Sequence, residues 1–347
     1  MKKYMEMALK LAKKGSGMVS QNPMVGAVIV KGKRVVGRGW HKKYGSEHAE
    51  ANAIIDAGKK ARGADLYVTL EPCNHFGKQP PCTKAILKAG IGRVFAAMKD
   101  PHHVSNKGEQ YLRKNGIPVH IGMCKNEAEK LNEFYITSVR YGMPFVTVKI
   151  AMTADGFITY GDGKAKRIAG KKESAFVQNL RERHDSILVG LNTIIKDNPR
   201  LTVRKNPALN PVRIVLDSEA RTPLSARILR ESGETIIACT HAAPRKRILA
   251  LRKKGAQIVV AGKKGRVDLR QLLKKLNALG IQSVLVEPGN MTATSFLSGG
   301  LFDRIIIIVA RRKIKGGLEA FRLGKKIRAR VIEKRPVGND TMIILEK

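Results

Sequence analysis

Two stretches of sequence, His48-Ala-Glu50 and Glu71-Pro-Cys-Asn-His-Phe-Gly-Lys-Gln-Pro-Pro-Cys82, decide how the first part of the chain is interpreted. Apolar periodicity predicts a helix over 48–60 that opens at the first stretch, and an extended run over 65–70 predicts a strand that ends at the second. Cys82, after two prolines, starts the next predicted helix. Strands that alternate with helices are typical of an α/β layer sandwich.

The residues His48, Cys73 and Cys82 are typical of a catalytic zinc site. One imidazole and two thiolates fill three corners of the tetrahedron that zinc prefers, and they leave the fourth for water. Glu50 is not a ligand, and we expect it to carry a proton from that water to a leaving amine. Any one of these residues alone is more often a packing residue, but together they predict a zinc-dependent deaminase. Eight residues separate the cysteines, which distinguishes this chain from the C-x-x-C pattern of nucleic-acid deaminases.

The chain divides into two predicted domains around Tyr141-Gly142-Met143-Pro144. A long amphipathic helix over 126–140 is predicted to end there, because glycine followed by proline stops a helix. We therefore predict domains at 1–143 and 144–347, each large enough to bury its own core. Short apolar strands between helices and turns predict that the second domain is also α/β. Its predicted strands lie at 145–151, 186–189, 212–216, 235–238, 257–260, 283–286, 304–310 and 342–345.

The 347 residues contain 66 Lys and Arg against 28 Asp and Glu, which gives a formal net charge of +38. This charge favours phosphates, either on a small substrate and cofactor or on a nucleic acid. A nucleic-acid-binding or editing deaminase is the less favoured alternative, because base-editing enzymes stack an extruded base on aromatic rings and Trp40 is the only tryptophan. The densest basic segment, 311–335, is interpreted as a solvated basic face. Sparse cysteines and the lack of a signal-peptide core or membrane-spanning run predict a cytoplasmic protein.

The metal-site stretches, together with Asn22-Pro-Met-Val-Gly26, closely resemble the bifunctional riboflavin-biosynthesis deaminase–reductase family. The second domain resembles the reductase of that family at 148–156, 187–193 and 197–204. The resemblance implies a cytidine-deaminase-like three-layer sandwich followed by a dihydrofolate-reductase-like α/β domain, with Zn²⁺ and NADPH as cofactors. It also implies a small phosphorylated pyrimidine substrate, whose 2-amino group is removed by hydrolysis before its ribosyl chain is reduced to a ribityl chain.

The same resemblance implies which residues form the two sites. In the first domain it agrees with zinc ligation by His48, Cys73 and Cys82 and with catalysis by Glu50. In the second domain it implies that Lys149 and Asp155 polarise and orient the substrate. The other implied substrate-binding residues are Asn22, His41, His75 and Lys78 in the first domain, and Arg181, Leu201 and Arg204 in the second. The implied cofactor-binding residues are Ala151, Gly190, Thr193, Asp197, Glu287 and Gly289.

Several positions differ from the usual pattern of the family, mostly in the second domain. Arg167-Ile-Ala-Gly170 replaces Trp-Ile-Thr-Ser and loses hydroxyls, and Val286-Glu-Pro-Gly289 replaces Val-Glu-Gly-Gly and loses an amide donor. Ala310-Arg-Arg-Lys-Ile-Lys-Gly-Gly317 carries an extra residue, and Asp100-Pro-His-His103 replaces Asp-Pro-Asn-Pro. These differences leave open a deaminase whose second domain is degenerate. The sequence also leaves the oligomeric state open, a homo-oligomer included.

Overall fold

The computed structural model describes residues 1–103, 107–160, 170–204, 206–324 and 327–347. The chain forms two compact units, Met1–Gly142 and Met143–Lys347. This division lies one residue before the domain boundary that the Gly-Met-Pro sequence predicts. Within the described ranges, no helix has both the length and the apolar composition needed to cross a bilayer.

The first unit is a five-stranded sheet with helices packed against it. Its strands are β1 (Gly26–Lys31), β2 (Arg34–Trp40), β3 (Asp65–Val68), β4 (Arg93–Ala96) and β5 (Val119–Ile121). Its helices are α1 (Lys2–Ala12), α2 (Ala49–Ala57), α3 (Cys82–Lys88), α4 (Gly108–Lys114), α5 (Lys125–Leu131) and α6 (Glu133–Tyr141). The strand order is β2-β1-β3-β4-β5, with β1 antiparallel to both neighbours and the pairs β3–β4 and β4–β5 parallel.

Glycines allow helices to approach both faces of this sheet closely. A Cβ atom at Gly26 would lie 2.0 Å from the carbonyl oxygen of Ala8 in α1. A Cβ atom at Gly39 would lie 2.2 Å from the carbonyl oxygen of Ala49 in α2. Gly26 is the register partner of Trp40, so Gly39 faces the other side of the sheet, because successive residues of a strand alternate between faces. The two helices therefore cover opposite faces, and the predicted three-layer sandwich is confirmed.

The prediction of one long helix over 126–140 is wrong, because the structure has two helices, α5 and α6, that meet at Asn132. This residue leaves the helical conformation, with φ −105° and ψ 23°. Its side chain accepts a hydrogen bond from the Met24 amide at 2.8 Å and donates one to the Met24 carbonyl at 3.0 Å. An asparagine that bonds to the backbone in this way competes with the helix. The partner lies 108 residues away, so periodicity could not reveal the break.

The second unit contains a nine-stranded sheet and a two-stranded one among its described residues. Its strands are β6 (Phe145–Thr153), β7 (Phe157–Tyr160), β8 (Ser186–Gly190), β9 (Val212–Leu216), β10 (Thr235–Cys239), β11 (Gln257–Val260), β12 (Ser283–Val286), β13 (Arg304–Ala310), β14 (Gly317–Glu319), β15 (Arg330–Val337) and β16 (Asp340–Glu346). Its helices are α7 (Lys171–Arg183), α8 (Leu191–Asp197), α9 (Arg245–Lys253), α10 (Leu269–Ala278) and α11 (Asn290–Ser298). The large sheet has the order β11-β10-β9-β8-β12-β6-β13-β16-β15, and the small one pairs β14 with β7.

Parallel strands form the centre of the large sheet and determine where its site lies. Neighbouring strands from β11 to β13 run parallel, whereas β16 and β15 are antiparallel additions at one edge. Buried parallel strands consist of apolar runs, and the run over 305–310 in β13 is an example. The carboxyl ends of β8, β12 and β6 lie side by side, and ligands of open α/β sheets bind at such ends. The predicted α/β class is confirmed for this unit.

The basic segment 311–335 contains two strands that the sequence analysis missed, β14 and part of β15. β15 is one of the two edge strands of the large sheet, and its first seven residues are all exposed. A strand that is exposed on both faces has no alternation of apolar and polar residues, so the usual sequence signal is missing. Lysine and arginine on such an edge discourage pairing with another chain.

Candidate active sites

The three predicted zinc ligands meet at the ends of three elements. His48 directly precedes α2, Cys73 lies in the loop after β3, and Cys82 is the first residue of α3. Their candidate ligand atoms all lie within 4.8 Å of one another. The His48 Nδ1 atom is 3.2 Å from the Cys82 Sγ atom and 3.5 Å from the Cys73 Sγ atom. One nitrogen and two sulfur donors in this arrangement fit a tetrahedral Zn²⁺ with one open position.

The two thiol groups differ in their affinity for a proton. The hydrogen bond from the Cys82 side chain lowers the pKa of Cys73 to about 4 in spite of burial, and His48 contributes to the decrease. The same contact, together with burial and the nearby Glu50, raises the pKa of Cys82. Because zinc binds thiolates, a zinc ion held by these residues would displace the proton of Cys82.

Glu50 lies in the first turn of α2 and is only 3% exposed. Burial and the negative charge of Cys73 raise the pKa of its carboxyl group to about 7, although His48 opposes the rise. A carboxyl group with a pKa near neutrality can accept and then donate a proton at physiological pH. Glu50 is not one of the three candidate ligands, and it borders a pocket that opens beside them.

A pocket of about 300 Å³, here named the first-unit pocket, opens beside the ligand atoms. Asn22, His41, His75 and Lys78, which the resemblance implies as substrate-binding residues, all border it. The Nε2 atom of His41 lies 3.0 Å from the Asn22 Nδ2 atom, and its Nδ1 atom lies 3.1 Å from the Glu47 carbonyl oxygen. The imidazole therefore donates through Nδ1 and accepts through Nε2, and burial lowers its pKa, which keeps it neutral. The buried Nδ1 atom of His75, a residue that borders the pocket, has no hydrogen-bond partner among the described residues.

Further polar side chains border the pocket, and the sequence analysis did not assign them: Gln21, Tyr44, Glu71, Gln79, Asp100, His102 and Tyr135. The Oδ1 atom of Asp100 accepts hydrogen bonds from the Tyr135 hydroxyl and the His102 amide, both at 2.9 Å. The Glu71 carboxylate accepts hydrogen bonds from the amides of Asp100 and Glu109, so it braces this wall. The sequence does contain a signal for Asp100 as a site residue. Asp100 lies beyond the carboxyl end of β4, and Cys73 follows the neighbouring strand β3, so both residues lie at the same edge of the sheet.

Candidate residues of the second unit gather at the carboxyl ends of three adjacent strands. Lys149 and Ala151 lie on β6, Gly190 ends β8, and Glu287 directly follows β12. Gly289 precedes α11, and no heavy atom beyond its chain neighbours lies within 4 Å of the position that a Cβ would occupy. Among the described residues, the N-cap of α11 also makes no side-chain hydrogen bond, so the first amides of the helix are open to an anionic group such as a cofactor phosphate.

The side chains of Arg181 and Glu287, for which the resemblance implies substrate and cofactor binding, are paired with each other. The Nε and Nη2 atoms of Arg181 donate to the two carboxylate oxygens at 2.9 and 2.8 Å. The side chains are 16% and 20% exposed, so the pair is largely removed from water. Burial acts to raise the pKa of Glu287, but the charge and hydrogen bonds of Arg181, with help from Lys149, lower it overall. A phosphate that binds Arg181 must therefore share the guanidinium with a carboxylate.

Lys149 also has a carboxylate partner, because its Nζ atom donates to the Oε1 atom of Glu173 in α7. These side chains are 10% and 9% exposed. Lys149 contributes to the low pKa of Glu287, and Glu173 contributes to the raised pKa of Arg181, so the two pairs act on each other. We name Lys149, Glu173, Arg181 and Glu287 the charge cluster. Its two cations and two anions balance.

Asp155 holds a loop in place. Its carboxylate accepts hydrogen bonds from the Thr153 hydroxyl at 2.5 Å and from the amides of Ile314 and Lys315 at 3.0 and 2.8 Å. The Thr153 hydrogen bond is the main cause that lowers the pKa of Asp155, and the two amides add to it. The stretch 310–317 is thus fastened to the end of β6.

The remaining candidates lie on or after α8. Thr193 is half-buried and Asp197 is exposed, both on α8. Leu201 is buried and has a φ of 56°, in the left-handed region. The amide of Arg204 donates to the Gln178 side chain at 2.9 Å, and its own side chain is exposed.

Of the departures from the family pattern, 167–169 lie outside the described residues. Gly170 precedes α7, and its amide donates to Asp340 at 3.0 Å. Pro288 lies between β12 and α11, next to the open amides that follow Gly289.

Comparisons with known proteins agree with both halves of this description. Residues 1–98 match the model of the cytidine and deoxycytidylate deaminase zinc-binding region. Residues 144–334, more than half of the chain, match the model of the RibD C-terminal domain. The predictions of a zinc-binding deaminase region and of a riboflavin-biosynthesis reductase domain are confirmed.

Whole-length relatives extend the agreement. Riboflavin biosynthesis protein RibD of Aquifex aeolicus (strain VF5) is 43% identical, with 100% of this chain and 98% of the relative covered. The solved structure of Acinetobacter baumannii RibD has a TM-score of 0.91 at 33% identity and covers 99% of this chain and 98% of its own. A diaminohydroxyphosphoribosylaminopyrimidine deaminase/5-amino-6-(5-phosphoribosylamino)uracil reductase from Thermotoga maritima has a TM-score of 0.88 at 34% identity, with the same coverage. The chain therefore belongs to the RibD family of riboflavin biosynthesis proteins.

Proposed function

We propose that the first unit hydrolyses the 2-amino group of 2,5-diamino-6-(5-phosphoribosylamino)pyrimidin-4-one, and that the second unit reduces the ribosyl chain of the product to a ribityl chain with NADPH. One observation carries the proposal: the buried Glu50 carboxyl group shares a pocket with the His48, Cys73 and Cys82 donor set. The Thermotoga maritima relative bears the names of both activities.

In the deaminase reaction, water adds to the carbon that carries the amino group, and ammonia leaves. Zinc supplies Lewis acidity, which lowers the pKa of a bound water toward neutrality. Glu50, with a pKa of about 7, takes up a proton from the water and returns one to the leaving amine. The neutral His41, held by the Glu47 carbonyl, fixes the Asn22 side chain, and the Asn22 amide orients the pyrimidine.

The first-unit pocket suits a phosphorylated substrate because cationic and donor groups lie together in the loop between the two cysteines. Lys78 and His75, whose Nδ1 atom has no partner among the described residues, both border the pocket. Two donors of this kind can bind a phosphate. We place the reaction in the cytoplasm, because Cys73 and Cys82 must stay reduced to bind zinc and that compartment keeps thiols reduced.

In the reductase reaction, NADPH supplies the hydride. The open amides after Gly289 and the residues of α8, Thr193 and Asp197, bind the cofactor, with Gly190 and Ala151 on the adjoining strand ends. Lys149 is the cation of the charge cluster on the central strand β6, and it polarises the sugar oxygen. Arg181, Arg204 and Leu201 receive the ribose phosphate end, while Asp155 keeps the neighbouring loop in position.

The test is to incubate the purified full-length chain with the diaminopyrimidine substrate, with and without NADPH. We expect ammonia release under both conditions and oxidation of NADPH only after deamination. Absence of ammonia would contradict the deaminase half. Ammonia without any oxidation of NADPH would contradict the reductase half and favour a second unit that has lost its activity.

A further inference from the structure

Lys78 borders the first-unit pocket on a flexible side chain, yet the structure gives it a defined position. Its Nζ atom lies 4.0 Å from the centre of the Tyr44 ring. A Cβ atom at Gly45 would lie 3.4 Å from the Lys78 Cδ atom, so the stem of the lysine packs against the Gly45 backbone. Gly45 has a φ of 79°, a conformation that glycine adopts without strain. The lysine thus lies across the loop that precedes His48.

A hydrogen bond next to Lys78 joins the same two loops. The Gln79 Nε2 atom donates to the Gly45 carbonyl oxygen at 3.0 Å. The loop of Tyr44 is anchored in turn, because its amide donates to the Met18 carbonyl at 3.1 Å. We name Tyr44, Gly45, Lys78 and Gln79 the clasp, and all four border the first-unit pocket.

An aromatic ring is a partner that leaves the charge of Lys78 available. A tyrosine face attracts an ammonium through its quadrupole but does not neutralise it as a carboxylate would. Within the part of the chain that the structure describes, no carboxylate lies within ion-pair distance of Lys78, in contrast to Lys149 with Glu173. A lysine that is already placed loses less side-chain entropy when it binds an anion.

We propose that Tyr44 and Gln79 are positioning residues that hold the Lys78 ammonium at the pocket for the substrate phosphate. They thereby set the preference of the deaminase for a phosphorylated pyrimidine over its unphosphorylated counterpart. This inference rests on the proposed deaminase function of the pocket.

The first experiment compares Tyr44→Leu with the conservative Tyr44→Phe in the full-length zinc-loaded chain. A cation–π contact at an exposed site corresponds to about a two- to five-fold change in affinity. Tyr44→Leu is expected to raise KM for the phosphorylated substrate by this factor with kcat unchanged, and Tyr44→Phe to retain the wild-type KM. With the dephosphorylated substrate, all three proteins should have the same KM. An equal rise for both substrates, or a loss confined to kcat, overturns the proposal.

A double-mutant cycle tests whether the tyrosine acts through the lysine. In a Lys78→Met background, Tyr44→Leu should have no further effect on KM, because the ammonium that it positions is gone. Gln79→Ala should raise KM in the wild-type background and have no effect in the Lys78→Met background. Effects that simply add in the double variants overturn the proposal.

A binding measurement makes the test independent of turnover. Ribose 5-phosphate is titrated against the zinc-loaded chain in an Arg204→Ala background, which weakens the ribose phosphate site proposed for the second unit. It should bind to the otherwise wild-type chain and Tyr44→Phe with equal affinity, and more weakly to Tyr44→Leu and Lys78→Met. Equal affinity for all four proteins overturns the proposal. If the four proteins bind ribose 5-phosphate in this pattern but the wild type releases no ammonia, the proposed deaminase function is wrong, whereas the positioning of Lys78 by Tyr44 is supported.

Discussion

The first-unit pocket and the charge cluster of the second unit differ in whether their polar groups have charged or hydrogen-bonding partners within the protein. In the pocket, His75 Nδ1 has no described protein partner, and Lys78 rests on an aromatic ring. In the charge cluster, both cations are bound to carboxylates. The pocket is therefore ready to accept a ligand, whereas a ligand of the second site must take a guanidinium or ammonium that already has a partner.

The difference indicates how a substitution in each half should affect ligand binding and the stability of the fold. Buried polar groups without partners raise the free energy of the empty protein and are relieved by ligand. Paired buried charges are stable without ligand, and removing one partner leaves the other uncompensated. We thus expect substitutions in the pocket to affect catalysis, and substitutions in the charge cluster to affect stability as well.

The largest expected effect comes from Cys82→Ser. The hydroxyl replaces a buried thiol of nearly the same size but is a poor zinc ligand, because zinc binds thiolate strongly. Bound zinc should fall from about one ion per chain to near zero, and deamination should fall below detection. Metal analysis and ammonia release measure the two effects, while NADPH oxidation with the deaminated substrate should continue.

Cys124→Ser is the matched control, since Cys124 is a half-buried cysteine in the same unit at the start of α5. It should keep its zinc and its deaminase rate. Full zinc content in Cys82→Ser would show that His48, Cys73 and Cys82 do not form the metal site.

Arg181→Met is expected to break the charge cluster. The variant leaves the Glu287 carboxylate without its bidentate partner, at a cost of about 3 kcal/mol, the low end for a broken buried pair, because both side chains keep some exposure. Hydrogen exchange of the β6 and β13 amides measures the loss of stability in the second unit. NADPH oxidation should also fall, while ammonia release stays unchanged.

The double variant Arg181→Met with Glu287→Gln separates charge from packing. Removing both charges should restore much of the lost stability, since the uncompensated carboxylate is gone. A double variant that is less stable than Arg181→Met would contradict the charge explanation.

The smallest effect is expected at His184, which follows α7. Its Nδ1 and Nε2 atoms lie 2.7 and 2.9 Å from the Leu180 carbonyl and the Thr147 hydroxyl, and burial lowers its pKa to about 4. As the pH falls below about 6.5, His184 becomes protonated in the unfolded state, whereas in the folded state it becomes protonated only near pH 4. The stabilisation is therefore present above pH 6.5 and is lost toward pH 4, with about 2 kcal/mol lost between pH 7 and pH 5.

His184→Gln tests this dependence because the amide can replace the hydrogen bond between Nε2 and the Thr147 hydroxyl and does not titrate in this range. Hydrogen exchange of β6 amides at the two pH values measures the stability of wild type and variant. The loss should be about 2 kcal/mol smaller in the variant. Equal losses in the two proteins would assign the pH dependence to other groups.

The meeting of His48, Cys73 and Cys82 could be predicted from sequence because their spacing is local to two stretches, and each residue stands at the end of a predicted element. The charge cluster could not, because Arg181 and Glu287 lie 106 residues apart and nothing in either stretch indicates their pairing. The break at Asn132 and the contact of Lys78 with Tyr44 were missed for the same reason. Periodicity and motifs report local structure, whereas these features depend on contacts between distant segments.

Glu50→Gln tests most directly the central claim, that one chain holds two separate sites and that Glu50 is the proton carrier of the first. The variant should keep its zinc and lose about 10²- to 10⁴-fold in ammonia release, the usual contribution of a general acid–base group. Given the diaminopyrimidine, it should oxidise almost no NADPH, but given 5-amino-6-(5-phosphoribosylamino)uracil, it should oxidise NADPH at the wild-type rate. Wild-type ammonia release by the zinc-loaded variant would contradict the account.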